Sequence, residues 1–271
     1  MAECLTGYGA KRIVCLTEET TEALYLMGEQ ARIVGISGFT VRPSIARKEK
    51  PKVSAFTSAK IDKILALKPD LVLAFSDMQA DITAELVRAG LQVHVFNQRS
   101  VNEIFAMLHS LGALIGEPAK AAKLVAQYQQ NIEDSQQQAA LYKRKPRVYF
   151  EEWDEPLISS IKWVAELVEI AGGIDCFPEL SAQAGGKGRI IADPQCVVQQ
   201  QPDIIIGSWC GKKFRAERVA EREGWANIPA VQNKQIFEIK SVDILQPGPA
   251  ALTDGLEQLH NIIKQWVKQY G

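Results

Sequence analysis

Three features of the sequence predict an α/β protein of two lobes, each built on a parallel sheet, joined by one long helix. Short apolar runs alternate with helix-spaced segments from residue 12 to residue 96 and again from residue 147 onward. The runs are continuous rather than alternating in polarity, as strands covered on both faces require. Between the two stretches lies a glycine-free segment rich in Ala, Gln, Leu and Lys. A chain of 271 residues also suits two cores better than one.

In the first stretch RIVCL (12–16) reads as a strand, and TEETTEALYLMG (17–28) as a helix with a Thr/Glu start of capping-box type. RIVGIS (32–37) is a second strand. SAKIDKILALK (58–68) is an amphipathic helix whose stripe is Ile61, Ile64, Leu65 and Leu67. DLVLAFS (70–76) is the third strand, MQADITAELVRAG (78–90) a helix stopped by Gly90, and LQVHVF (91–96) the fourth strand. From Glu117 to Lys143 the pattern is one helix with Pro118 in its first turn. About 26 residues there would span roughly 40 Å, with polar residues on most sides, as in a helix reaching between lobes. The lobes are then 1–116 and 144–271, with the connecting helix over 117–143. In the second stretch RVYFEEW (147–153), DIIIGSW (203–209) and QIFEIK (235–240) are strands. SIKWVAELVEIAGG (160–173), DPQCVVQQQ (193–201) and ALTDGLEQLHNIIKQWVKQY (251–270) are helices. Such alternation makes each lobe Rossmann-like.

Charge excludes some partners. Lys plus Arg (31) nearly cancels Asp plus Glu (32), so no global field draws the chain to nucleic acid or an anionic membrane. No run is long enough to span a bilayer, and MAECLTGYGAKRIVCL has no apolar signal-peptide core. As written, the chain is expected to be cytoplasmic, or stripped of a leader. Cys4, Cys15, Cys176, Cys196 and Cys210 form no C-x-x-C and read as isolated thiols.

Two passages echo each other: IDKILALKPDLVLAFSD (61–77) and PQCVVQQQPDIIIGSWC (194–210). Each runs from a short helix through Pro-Asp and a strand to an aromatic beside a serine, Phe75–Ser76 in one and Ser208–Trp209 in the other. Ligands of open parallel sheets bind outside the carboxyl ends of strands. These four residues are therefore candidate ligand contacts, approaching a cleft between the lobes from opposite walls and suiting a large flat ligand.

The basic loops RPSIARKEKPK (42–52) and KKFRAER (212–218) follow strands and would favour an anionic ligand. YFEEWDEP (149–156) sets Glu151, Glu152, Asp154 and Glu155 around Trp153, with Glu151 and Trp153 sharing a face. Ligand contact, or ion pairs to the basic loops, is expected there rather than acid–base catalysis or metal binding. Cys210, beside Lys212 and Lys213, is either a nucleophile or axial ligand to cobalt or haem iron, or a plain loop residue. Gln246, within ILQPGP (244–249), is expected to face the cleft. His94, His109 and His260 are too scattered for an N/O metal site. AGGKGR (184–189) fits no phosphate-binding fingerprint and reads as a mobile loop.

KVSAFTSAKIDKILALKPDLVLA (52–74), with KPDLVL (68–73) and PDIII (202–206), resembles the periplasmic substrate-binding proteins that serve iron-siderophore, haem and cobalamin ABC importers, and most of all their cobalamin-binding branch. The resemblance covers essentially the whole chain. It implies a type III periplasmic-binding-protein-like fold, no enzymatic activity, no resident cofactor, and capture of a corrinoid-like ligand for delivery to a permease. It also implies a periplasmic or cell-surface setting and a monomer. Phe56 and Phe75 match cleft aromatics and are phenylalanine where the cobalamin binders carry tryptophan; Trp153 and Trp209 would supply the second wall. Importers of this family engage one surface carboxylate per lobe, for which Asp81 or Glu85 and Glu217 are the matching candidates. Two other readings stand beside this one: a ferric-siderophore or haem binder of the same fold, and a cytoplasmic corrinoid-handling protein or enzyme.

Overall fold

The structure is a computed structural model that describes residues 9–271, so Cys4 lies outside the described residues. Contacts divide the chain into two compact units. One runs to Gln98 and includes Asn102–Gln127; the other comprises Arg99–Val101 and Tyr128–Gly271.

The first unit holds strands β1 (Ile13–Cys15), β2 (Ile33–Ser37), β3 (Lys52–Ser54), β4 (Leu71–Phe75) and β5 (Val93–Phe96). All pair in parallel, in the order β3-β2-β1-β4-β5. Helices α1 (Glu18–Leu26), α2 (Ile61–Ala66), α3 (Ala80–Arg88) and α4 (Val101–Leu114) provide or follow the crossovers. Val14, Val72 and Ala74 pack with Ile64, Ile82 and Leu86 in one core cluster. β3 escaped the sequence reading because three residues with an exposed Lys52 leave little periodic signal. Leu65, assigned to the apolar stripe of α2, is 36% exposed, because six residues give that helix room for one inward position at Ile64. Thr17 does not cap α1 with its side chain; its hydroxyl donates instead to Glu19 Oε1 at 2.6 Å.

Helix α5 covers Pro118–Ala139, 22 residues, and passes from one unit to the other after Gln127. It is shorter than the expected 117–143 and spans about 33 Å. The cationic run Lys143–Lys145 and Pro146 follow as bend and coil leading into the next strand.

The second unit is built around β6 (Arg147–Asp154), with β7 (Leu157–Ser159), β8 (Ile174–Asp175), β9 (Ile204–Gly207) and β10 (Ile236–Glu238). The order is β10-β9-β6-β7, with β8 pairing the first residues of β6. β7 is antiparallel to β6, which corrects the expectation of a wholly parallel sheet. β6 runs to Asp154, and Glu155–Pro156 turns the chain straight back into a hairpin. Helices α6 (Lys162–Ile170), α7 (Gln195–Gln200), α8 (Ala216–Ala220) and α9 (Leu256–Tyr270) complete the unit. Asp193 lies before α7 and accepts the Gln195 N–H at 2.9 Å. The expected terminal helix opens as a π-helical turn over Ala251–Gly255. The AGGKGR segment is pinned rather than loose: Arg189 is 2% exposed and donates to Glu152 and to the Ser159 carbonyl.

The Pro-Asp echo has one physical cause in both units. Lys68 and Gln201, each just before the proline, adopt positive φ (47° in both) and end their helices. Asp70 then accepts the N–H groups of Lys11 and Arg12 beside β1, while Asp203 accepts that of Arg147 at the start of β6. The side chains of Arg12 and Arg147 in turn donate to the carbonyls of Lys68 and Gln200. This lock sits at the amino ends of the strands. Each sheet also reverses its winding once, between β1 and β4 in the first unit and between β6 and β9 in the second, and such switch points are where doubly wound sheets leave a crevice at their carboxyl ends.

Candidate ligand-binding site

At the carboxyl edge of the first sheet, Gln79 organises the strand ends. Its fully buried amide accepts the Phe75 N–H at 2.9 Å and donates to the Phe56 carbonyl at 2.8 Å and the Leu16 carbonyl at 3.4 Å. One side chain thereby ties the ends of β1, β3 and β4 together. Phe75 is buried, and Phe56 is half-buried. Ser76 has positive φ (56°), and its buried hydroxyl accepts the Met78 N–H at 3.3 Å. The exposed apolar residues of this edge are ones the sequence reading passed over. Phe39, Val41 and Ile45 follow β2, Met78 follows β4, and Phe39 is 56% exposed. Phenylalanine and isoleucine at the tips of loops after parallel strands are the signal that was available. Of the basic loop, Arg42 pairs with Glu22 and Arg47 donates to the Gly38 and Thr40 carbonyls, so both arginines shape this edge. Where β1 passes into α1, Glu19 is almost wholly buried, and burial pushes its carboxyl up to about 7.

The carboxyl edge of the second sheet brings together EEWDE and GSWCGKK, because β6 and β9 are parallel neighbours with Glu151 level with Gly207. Glu151 has no exposed surface. It accepts hydrogen bonds from Arg222 at 2.5 and 2.9 Å, from Trp209 Nε1 at 3.0 Å and from the Tyr149 hydroxyl at 3.0 Å. Of the two readings for this cluster, ligand contact or ion pairing, Glu151 takes the second, with Arg222 as partner rather than a residue of the basic loops. Trp209, expected as a cleft wall, is 4% exposed and packs in the core cluster of this unit. The indole turns inward because its N–H finds a carboxylate there and its ring packs edge-on to Phe214, with centroids 4.9 Å apart. Burial and the neighbouring Glu151 charge push the Tyr149 phenol well above its ordinary value.

Trp153 is half-buried, with its Nε1 donating to the Glu155 carbonyl at 3.0 Å. Lys212 donates to Asp154 Oδ2 at 2.6 Å, and its ammonium lies 5.5 Å from the Trp153 ring centre and 5.2 Å from that of Trp209. Ser208 is fully buried, its N–H donating to the Glu151 carbonyl, while its hydroxyl has no partner among the described residues. Cys210 is exposed on the turn at Gly211 (φ +73°). Gln246 is half-buried. Asp81 and Glu85 on α3 and Glu217 on α8 are all exposed. Arg222 was not legible in advance, since its partner Glu151 lies 71 positions away.

Elsewhere, two histidines and two cysteines have neighbours within the fold. His260 meets the Ser135 hydroxyl at 3.1 Å and Gln138 Oε1 at 3.0 Å. His94 stacks edge-on against Phe96. Burial pushes the thiols of Cys15 and Cys176 up to about 12. Among the described residues no group of three His, Cys, Asp or Glu side chains is placed to hold a metal ion, and no helix is long and apolar enough to cross a membrane.

Known proteins match this architecture along nearly its whole length. The chain is 27% identical over 255 residues to an uncharacterised ABC transporter substrate-binding lipoprotein of Bacillus subtilis, YvrC, covering 92% of this chain and 78% of that one. It is 26% identical over 274 residues to the vitamin B12-binding protein of Vibrio cholerae, covering 97% and 92%. Among solved structures, the periplasmic haem-binding protein RhuT from Roseiflexus superposes with a TM-score of 0.78 at 21% identity, covering 94% of this chain and all of that one. Residues 13–242 match the family described as periplasmic binding protein. With two α/β units built on largely parallel sheets and a match over most of its length, the chain belongs to the periplasmic binding protein family.

Proposed function

We propose that this chain is the substrate-binding protein of an ABC importer, that it captures a cobalamin-like corrinoid, and that the carboxyl end of each sheet supplies ligand contacts. The observation that carries the reading is the concentration of exposed or half-exposed apolar side chains at those ends: Phe39, Ile45, Phe56 and Met78 in one unit and Trp153 in the other. The rings of Phe39, Phe56 and Trp153 can cover a large, flat ligand with little side-chain entropy to lose. The likeness to a vitamin B12-binding protein over 97% of the chain supports the same ligand class. The chain acts by binding and hand-over rather than catalysis, as a monomer at the periplasmic or cell-surface side. Its permease is met through exposed carboxylates, of which Asp81, Glu85 and Glu217 are the candidates. The fold shared with a haem-binding protein makes haem or a ferric siderophore the second reading.

Visible absorbance of the purified protein after incubation with cobalamin, then gel filtration, tests this directly. A corrin band that travels with the protein in equimolar amount supports the reading. Retention of haem or a ferric catecholate but not cobalamin moves the protein to the second reading, and retention of none removes the tetrapyrrole assignment.

A further inference from the structure

The four carboxylates of residues 151–155 are each matched by a cation. Glu151 pairs with Arg222, Glu152 with Arg189, Asp154 with Lys212 and Glu155 with Arg218. The pairs are not equivalent. Arg222 and Arg189 bind their carboxylates with both terminal nitrogens, and neither can leave without stranding a desolvated charge. Glu155 and Arg218 stand 3.8 Å apart with both side chains mostly exposed, where an ion pair contributes little.

Lys212 differs from all of them. Its side chain is 31% exposed, while the Asp154 side chain it binds is 4% exposed. An ammonium carries three donors, and among the described residues only Asp154 accepts one of them. The tryptophan rings at 5.5 and 5.2 Å hold its position by cation–π attraction. At the same strand ends the buried Ser208 hydroxyl, which can donate, has no partner among the described residues, and neither has the acceptor Asp154 Oδ1. Lys213 and Arg215, both exposed on this loop, have no ion-pair partner among the described residues. They stand against the exposed carboxylates of Glu217 and Glu221 a few residues on, so what Lys212 offers is a positioned donor rather than a locally positive field.

We infer that Lys212 selects for an oxyanion on the ligand: anchored by Asp154 and seated against Trp153 and Trp209, its ammonium donates its remaining N–H groups to a phosphate or carboxylate at the rim of the bound ring system. The inference rests on the ligand reading above. Gly211 lets the loop double back so that Lys212 returns over the two indoles. Asp154 keeps the ammonium in place before the ligand arrives, so little ordering is left to be done on binding.

Affinity measurements with two probe pairs test it: cobalamin against cobinamide, and haemin against its dimethyl ester, which lacks the free carboxylates. Cobinamide lacks the phosphate together with the rest of the nucleotide loop, so the Lys212 variants rather than the bare difference isolate the phosphate. The wild type is expected to prefer the oxyanion-bearing member of at least one pair by about tenfold, and the pair whose preference Lys212→Gln abolishes separates phosphate from carboxylate recognition. Lys212→Gln should lose that preference by weakening the oxyanion-bearing probe alone, and Lys212→Arg should keep it. The wild-type preference should also shrink between about 50 and about 500 mM salt, a readout that does not depend on any variant folding. Equal losses for both members of a pair, no loss in Lys212→Gln, or a salt-independent preference would overturn the role of Lys212 while leaving the ligand reading intact. A wild type that binds none of the four probes overturns the ligand reading and this inference with it.

Discussion

Replacing Arg222 by methionine isolates the node that holds the second binding edge together. Glu151 is fully buried and has four protein hydrogen bonds, two of them from Arg222. The guanidinium also lies 4.6 Å over the ring of Trp225, and a methionine side chain fills much of that space. What is lost is therefore mainly charge and hydrogen bonding. Breaking a buried pair from one side costs about 3–5 kcal/mol, and the surviving bonds from Tyr149 and Trp209 place the expected loss near the lower figure. Adding Glu151→Gln removes the stranded charge but leaves an acceptor for the Trp209 N–H, so the double variant should regain about 2 kcal/mol relative to Arg222→Met alone. Urea unfolding followed by tryptophan fluorescence is the assay. Trp153, Trp163, Trp209, Trp225 and Trp266, all five tryptophans of the chain, lie in the second unit, so the signal reports that unit. A loss below about 1 kcal/mol for Arg222→Met, or a double variant no more stable than the single, would show that Glu151 is not the buried charge described here.

Three further outcomes are expected. The folded state binds the Glu19 proton more tightly than the unfolded chain, because burial pushes the carboxyl up to about 7. The contribution of Glu19 to the stability of the first unit is thus fullest below the ordinary carboxyl range and falls as pH rises toward 7, by at most about 3 kcal/mol. Glu19→Gln should flatten that slope in amide hydrogen exchange of β1 and β4, and an unchanged slope would clear Glu19. At Gly207 an added Cβ would stand 1.9 Å from Phe214 Cε2. Gly207→Ala should therefore push that ring off Trp209, costing about 1–3 kcal/mol in thermal unfolding with a shift in tryptophan emission; an unshifted spectrum would contradict the packing. Phe39→Ala should leave stability within about 0.5 kcal/mol and weaken cobalamin binding by at least about 1 kcal/mol by calorimetry. Equal affinity would remove Phe39 from the site.

Legibility followed the range of the interaction. The strands at Ile33–Ser37, Leu71–Phe75 and Ile204–Gly207 were readable because a parallel strand covered on both faces needs an unbroken apolar run. The repeated Pro-Asp was visible as a motif, but its work, capping the backbone N–H groups beside the neighbouring strand, was not, since the partner lies 58 positions earlier for Asp70 and 56 earlier for Asp203. The hairpin return at Leu157–Ser159 was missed because three residues after a turn carry no periodic pattern.

The sequence alone determined the α/β class, the alternation of elements, the long helix and the two aromatic–serine strand ends, all written in neighbours within a few residues of one another. Tertiary structure alone decided which aromatics lie open and which are core. Trp209 and Trp153 look alike in sequence, but one indole finds a buried carboxylate and turns inward while the other stays half-exposed beside Lys212. Burial of a polar group is set by whether a partner is present to satisfy it, and for Glu151 that partner arrives from Arg222, 71 residues along the chain.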